Sequence, residues 1–176
     1  EGNVYKLVGL ATKTGVGSTY GLKDKSAKAV LEGLKSTLAD IRSAHKMHDN
    51  VTVRFHTDMD KSFEAEVKEY CQDRAWIQTM TEGYDSNANS RVERRNSKFN
   101  QLLRTILLGA TGGRLYYEEL WDVGYDHISD VVNHLPEAGE DTPMMKAGGT
   151  DVTVEDMVEA FGAYTVYYES KERRPS

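Results

Sequence analysis

Two carboxylate residues stand where this chain could carry out metal-assisted chemistry. Asp58 follows the β-rich stretch VTVRFHT at 51–57, and Glu93 lies at the start of a long amphipathic segment that predicts a helix. In a layered α/β fold, the connection between them can bring the helix start back beside the strand end. Carboxylate oxygens that meet there suit Mg²⁺ or Mn²⁺, and paired ions serve phosphoryl transfer by stabilising the attacking and the leaving oxygen. Both residues are therefore candidate catalytic and metal-binding residues.

Simpler explanations exist for the same acids. From the pattern alone, Asp58 is better explained as a solvated acid at the end of a strand. Asp60 is better explained as the N-cap of a helix that begins near Ser62 than as a metal ligand. Glu93 can equally be an exposed acid in the first turn of a helix, where the helix dipole favours negative charge.

A second candidate site is the only dense basic run of the chain, at the start of the same predicted helix. Its members that share one helical face are Arg91, Arg94, Arg95 and Lys98. One interpretation is contact with the phosphates of a nucleic-acid backbone, or with an acidic partner. The other is a solvated helix face, which is the more frequent explanation of such a run.

The bulk composition limits the classes of protein. The chain has 176 residues, 39% hydrophobic and 28% charged, which suits one folded domain with a sizeable core. Its net charge of -6 counts against a dedicated nucleic-acid binder, so any such binding needs a local patch. No apolar run approaches the roughly 20 residues of a membrane span. Cys71 is the only cysteine and cannot form an internal disulfide, so we expect an intracellular protein.

Periodicity predicts the element order β-β-α-β-α-β-α-α, an α/β pattern. The predicted helices cover 26–45, 61–75, 91–112 and 116–136, and the first of them has Ser26 as its predicted N-cap. The predicted strands lie near 4–10, 15–22, 50–58 and 76–82. We divide the chain into a core at 1–136 and an extension at 137–176. The extension is predicted to contain a loop at 137–155, then a short helix and a strand near 163–168, which pack on the core.

Several segments, in this order, resemble the integrase catalytic core of retroelements, particularly the copia-type retrotransposon branch. The stretch at 4–38 is similar to the strand-turn-strand-helix that follows the family's first catalytic strand. VRFHTDMDKSF at 53–63 resembles the segment with the second aspartate, and YDSNANSRVERRNSKFNQLLRTILL at 84–108 resembles the polar loop and the helix with the catalytic glutamate. VNHLP at 132–136 and FGAYTVYYESKERR at 161–174 resemble the sequence after the core.

The resemblance implies a ribonuclease-H-like three-layer fold with a mixed sheet. It also implies that Asp58 is the second catalytic aspartate and Glu93 the glutamate, with Mg²⁺ or Mn²⁺ as cofactor if the site is active and none if it is degenerate. The first aspartate would lie on a central strand before Val4, and this chain has no such strand there. We expect an upstream segment or a strand of a partner chain to complete the sheet.

Two hypotheses about function follow. The departures from the family pattern favour an integrase-like domain reused as a non-catalytic structural or binding subunit of a larger assembly, with protein subunits and RNA or DNA as partners. Besides the first aspartate, these departures are Asp60-Lys61-Ser62 in place of a flexible Gly-Gly turn and Asn89-Ser90 in place of Asn-Gly. The retained Asp58 and Glu93 favour the alternative, an active integrase core that cleaves and joins DNA.

Overall fold

The structure is a computed structural model, and it describes residues 2–48, 50–57, 63, 66–80, 90–110, 117–136 and 139–150. Four strands and five helices occupy these residues. The strands are β1 (Tyr5–Leu10), β2 (Gly17–Leu22), β3 (Arg54–Thr57) and β4 (Ile77–Met80). The helices are α1 (Ala27–Ala44), α2 (Glu66–Gln72), α3 (Ser90–Ala110), α4 (Tyr117–His134) and α5 (Pro143–Lys146).

The described strands form two sheets of two strands each. β1 and β2 pair antiparallel, with Tyr5 opposite Leu22 and Leu10 opposite Gly17. β3 and β4 pair in parallel, with Arg54 beside Ile77, and α2 supplies the connection between them. No backbone pairing joins the two sheets to each other within the part of the chain that the structure describes.

Two apolar clusters hold these elements together. One is shared by both sheets and by α1 and α2, and its buried members are Leu22, Val30, Leu34, Val67 and Cys71. Leu7 of β1 and Phe55 of β3 both pack against this cluster, so the two sheets lie on one core although they are not hydrogen-bonded to each other. The second cluster lies between α3 and α4, and its buried members are Phe99, Leu103, Leu107, Tyr125, Ile128 and Val132.

The predicted α/β order is confirmed for the described residues. Ser26 is the N-cap of α1, as predicted, and its hydroxyl accepts a hydrogen bond from the backbone N–H of Ala29 at 3.3 Å. The third strand is shorter than predicted, because Val51 donates back to the carbonyl of His48 and forms a turn before β3 begins. Sequence periodicity missed the short helix α5, although Thr142 is its N-cap and Pro143 its first residue.

The predicted extension at 137–176 is described only from 139 to 150, and this part packs against α4 through α5. The strand predicted near 163–168 lies outside the described residues, so the division into a core and an extension stays a prediction. No helix in the described ranges is long and apolar enough to cross a membrane.

Candidate functional site

Helix α3 carries both candidate sites on different faces. Residues of an α-helix advance by about 100° each, which places Glu93 about 160° around the helix axis from both Arg91 and Arg95. Lys98 lies on the same side as Arg91 and Arg95, with Arg94 at the border of that side. Glu93 and the three basic candidates Arg91, Arg95 and Lys98 therefore lie on opposite sides of one helix.

The acidic side is described only in part. Glu93 is exposed and lies in the first turn of α3, as the sequence predicts. Asp58 and Asp60 lie outside the described residues, so the pairing of Asp58 with Glu93 and the capping role of Asp60 stay predictions. Within the described ranges, no group of three or more His, Cys, Asp or Glu side chains is arranged to hold a metal ion.

On the basic side, the side chains of α3 line a cleft of about 360 Å³. Its other walls are the turn between β1 and β2, the end of α4 and the segment that leads into α5. Five cationic residues line it, namely Lys13, Arg91, Arg95, Lys98 and Lys146. Among the described residues only two acids do so, Glu140 and Asp141, which gives this described part of the lining a formal charge of +3 in a chain whose net charge is -6.

The two arginines of the cleft are held by the backbone of the β1–β2 turn. Arg91 Nη1 donates to the carbonyl of Thr12 at 2.7 Å, and Arg95 Nη1 donates to the carbonyl of Gly15 at 2.5 Å. The Arg95 guanidinium also lies over the ring of Phe99, 5.0 Å from its centroid. Neutral carbonyl acceptors thus fix the position of both guanidinium groups at the wall of the cleft.

A buried asparagine near the end of α4 holds one of these arginines from outside the cleft lining. The side chain of Asn133 pairs with both backbone groups of Gly17: Oδ1 accepts from the N–H at 2.9 Å, and Nδ2 donates to the carbonyl at 2.7 Å. The same Oδ1 accepts from Arg95 Nη2 at 2.8 Å. Sequence reasoning did not single out Asn133, although it lies in the VNHLP segment that carried part of the resemblance. Its signal was a polar residue at an inward position of a helix.

Arg94 differs from the other basic candidates. It is exposed, does not line the cleft, and its Nε donates to the carbonyl of Ser90 at 3.2 Å. The structure thus brings together three of the four predicted basic residues and adds Lys13 and Lys146 to them. At the rim, the hydrogen bond and the charge of Lys146 hold the pKa of Glu140 below its usual value.

A second polar contact fixes α4 against β1. The Lys6 ammonium, whose side chain is only 5% exposed, forms ion pairs with Asp122 and Asp126. Partial burial opposes ionisation of Asp122, but hydrogen bonds from Lys6 and Asn3, together with the charge of Lys6, outweigh it and keep the pKa of Asp122 below its usual value. The two ion pairs of Lys6 hold α4, the helix that carries Asn133, against β1.

The two edges of the β1–β2 sheet differ in the hydrogen bonding of their outward backbone groups. Ala11 N–H donates to the carbonyl of Val16 at 2.8 Å, and the backbone bonds alternate from there along the ladder. The backbone groups of Lys6, Val8 and Leu10 therefore point away from β2, and no described residue hydrogen-bonds to them. The outer edge of β2, in contrast, is covered where α4 meets Gly17. Within the described ranges, α4 packs against β2 and Asn133 satisfies both backbone groups of Gly17, whereas no such cap meets the outward groups of β1.

Comparison with solved structures identifies the fold. The chain superposes on the catalytic core domain of BIV integrase with a TM-score of 0.58 at 15% identity, covering 80% of this chain and 82% of that one. It also superposes on a chain of the simian T-cell lymphotropic virus intasome, solved in complex with a PP2A regulatory subunit. There the TM-score is 0.63 at 15% identity, covering 94% of this chain and 54% of that one, so this chain spans about half its length.

No protein-family profile matches the sequence, and no curated protein matches it. The structural likeness nevertheless confirms the expected fold. The chain has the ribonuclease-H-like α/β fold of an integrase catalytic core.

Proposed function

We propose that this chain, which has the fold of an integrase core, is a non-catalytic binding subunit of a larger assembly. The observation that carries the proposal is the open edge of β1. Lys6, Val8 and Leu10 present backbone N–H and C=O groups away from β2, in a strand that packs on the main apolar core. Unpaired backbone groups beside a core are costly, and an open edge is a template for another strand.

The shared core supports the same proposal. β1 and β3 contact one apolar cluster through Leu7 and Phe55, yet no backbone ladder joins their sheets within the described residues. A strand added to β1 would extend the sheet over this cluster. Such a strand from a partner subunit would make this chain one part of a larger assembly, whereas a strand from an upstream segment would complete the domain itself.

A second candidate function is that of an active integrase core. The observation that favours it is Glu93, which is exposed in the first turn of α3, as the resemblance implies for the catalytic glutamate. Together with Asp58 and an aspartate on the added strand, it would supply oxygen ligands for Mg²⁺ or Mn²⁺. These ions would stabilise the charge that develops on the attacking and leaving oxygens of a phosphodiester.

Amide hydrogen exchange on the 176-residue chain tests the open edge. We expect the amides of Lys6, Val8 and Leu10 to exchange as fast as unpaired backbone. The amides of Leu7 and Gly9, which face β2, should be protected. This internal comparison needs no variant, because all five residues belong to one strand. Protection of both sets would show a sheet already complete and would overturn the proposal.

Strand-transfer assays separate the two candidates. We expect this chain to join no DNA ends with Mg²⁺ or Mn²⁺, and Glu93→Gln to change nothing in that assay. Metal-dependent joining that Glu93→Gln abolishes would reverse the ranking and establish the enzyme. The assay should be repeated with a longer chain that includes upstream residues, because the second candidate places its first aspartate there.

A further inference from the structure

We infer that the basic cleft beside the β1–β2 turn binds a compact phosphate-bearing anion of the size of a diphosphate. The cleft is defined by Lys13, Arg91, Arg95, Lys98 and Lys146. This inference does not rest on the proposed subunit role, because the cleft and the open edge of β1 involve different residues.

The charge and the volume of the cleft favour this class of ligand. The described residues of its lining carry a formal charge of +3, which favours a compact anion with two or three negative charges. A volume of about 360 Å³ lies at the small end of ligand sites. A long nucleic-acid strand would extend beyond the lining over a chain of net charge -6, which weakens its attraction.

The donors of the cleft are arranged before a ligand arrives. Arg91 and Arg95 are fixed by the carbonyls of Thr12 and Gly15, and a guanidinium group has five N–H donors that suit phosphate oxygens. Holding these side chains in place reduces the entropy that binding would otherwise cost. The exposed Lys13 and Lys98 add point charges at the mouth of the cleft.

The cleft is separate from the acidic candidate site. Glu93 faces the opposite side of α3, so an anion in the cleft would not meet the carboxylates that the resemblance implies as metal ligands. Phosphate binding in the cleft is therefore independent of catalysis. It can be measured whether or not the chain joins DNA.

Titration calorimetry with inorganic pyrophosphate, in a buffer free of divalent metal, tests the inference. We expect Arg91→Gln to weaken binding about tenfold, the loss typical of one charge-assisted contact. Arg104→Gln is the matched control, because Arg104 is an exposed arginine of the same helix that does not line the cleft. It should keep the affinity within about twofold. Lys13→Gln and Lys98→Gln provide second variants if Arg91→Gln disturbs the turn.

Three outcomes would overturn the inference. The first is the absence of pyrophosphate binding at millimolar concentration. The second is an equal loss in Arg91→Gln and Arg104→Gln, which would indicate diffuse attraction to the helix. The third is binding of a short DNA or RNA strand that depends on Arg91 while pyrophosphate does not bind, which would identify a nucleic-acid backbone as the ligand. None of these outcomes bears on the open edge of β1, so failure here is distinct from failure of the proposed subunit role.

Discussion

Asn133 is a buried side chain that joins α4 to the outer edge of β2 and to Arg95. It is 8% exposed and forms three hydrogen bonds, two with the backbone of Gly17 and one with Arg95. Its amide orientation is set by its partners, since one oxygen meets two N–H donors and the nitrogen meets a carbonyl. Asn133→Ala deletes all three bonds in one step.

The cost can be worked from the partners left behind. The buried Gly17 N–H loses its acceptor, which costs about 1–3 kcal/mol. The Gly17 carbonyl keeps only a long contact from the Ser129 hydroxyl at 3.4 Å, and Arg95 keeps its bond to Gly15. We expect a total loss of about 3 kcal/mol in the free energy of unfolding. For a chain of this size, that lowers Tm by roughly 6–12 °C.

Urea unfolding monitored by circular dichroism measures this loss. Asp130→Ala is the matched control, because Asp130 is exposed on the same helix and only its backbone carbonyl is used, by His134. It should change stability by less than about 0.5 kcal/mol. Asn133→Asp keeps the acceptor for Gly17 and Arg95 but loses the donor. Its free energy of unfolding should therefore lie between those of Asn133→Ala and Asp130→Ala. If Asn133→Ala and Asp130→Ala have equal stability, the pairing with Gly17 does not stabilise the fold.

Three further predictions concern the residues around this contact. Asp122→Asn should cost about 2 kcal/mol at pH 7, because it leaves the buried Lys6 with one carboxylate fewer. Since the folded pKa of Asp122 lies below its usual 3.8, its contribution is complete above about pH 4 and is lost as the pH falls through the folded pKa. The gap between wild type and variant in urea titrations should therefore close at low pH. Gly17→Ala should lower the free energy of unfolding by about 1–3 kcal/mol, because a Cβ there would lie 2.5 Å from Nη2 of Arg95. Because Arg95 would have to move, the same variant should weaken pyrophosphate binding in calorimetry. Phe99→Ala should cost about 3–5 kcal/mol in urea unfolding, because its ring is completely buried between α3 and α4.

Periodicity was enough to predict most of the architecture. The apolar positions of α3 recur at helical spacing, and Phe99, Leu103 and Leu107 are buried against α4 as that spacing predicts. Ser26 was identified as an N-cap because a hydroxyl before an apolar helical pattern has one common use. These predictions depend on residues that are close in sequence. They agree with the structure because the apolar helix faces that the sequence predicts are the faces that pack into the core.

The cleft could not be predicted in the same way, because its parts are distant in sequence. Lys13 lies in the β1–β2 turn and Lys146 in α5, and neither belongs to the basic run at the start of α3. Conversely, Arg94 belongs to that run but lies outside the cleft. A run of charges in the sequence indicates which helix is basic. Which of these charges lie close to one another in space depends on how the helix packs against other elements.

The asymmetry of the β1–β2 sheet connects the fold to the proposed role. Asn133 supplies Gly17 with the N–H acceptor and the C=O donor that a neighbouring strand would supply, so α4 occupies the place of a further strand on that side. On the other side, the alternation of the ladder leaves Lys6, Val8 and Leu10 available. Within the described residues, Asn133 therefore blocks strand addition to β2 at Gly17, and no comparable contact blocks it at β1. If Asn133→Ala opened the β2 edge as well, the Gly17 amide should lose its protection in hydrogen exchange while Leu7 and Gly9 kept theirs. Loss of protection at all three positions would instead mean that α4 stabilises the whole hairpin and not only its outer edge.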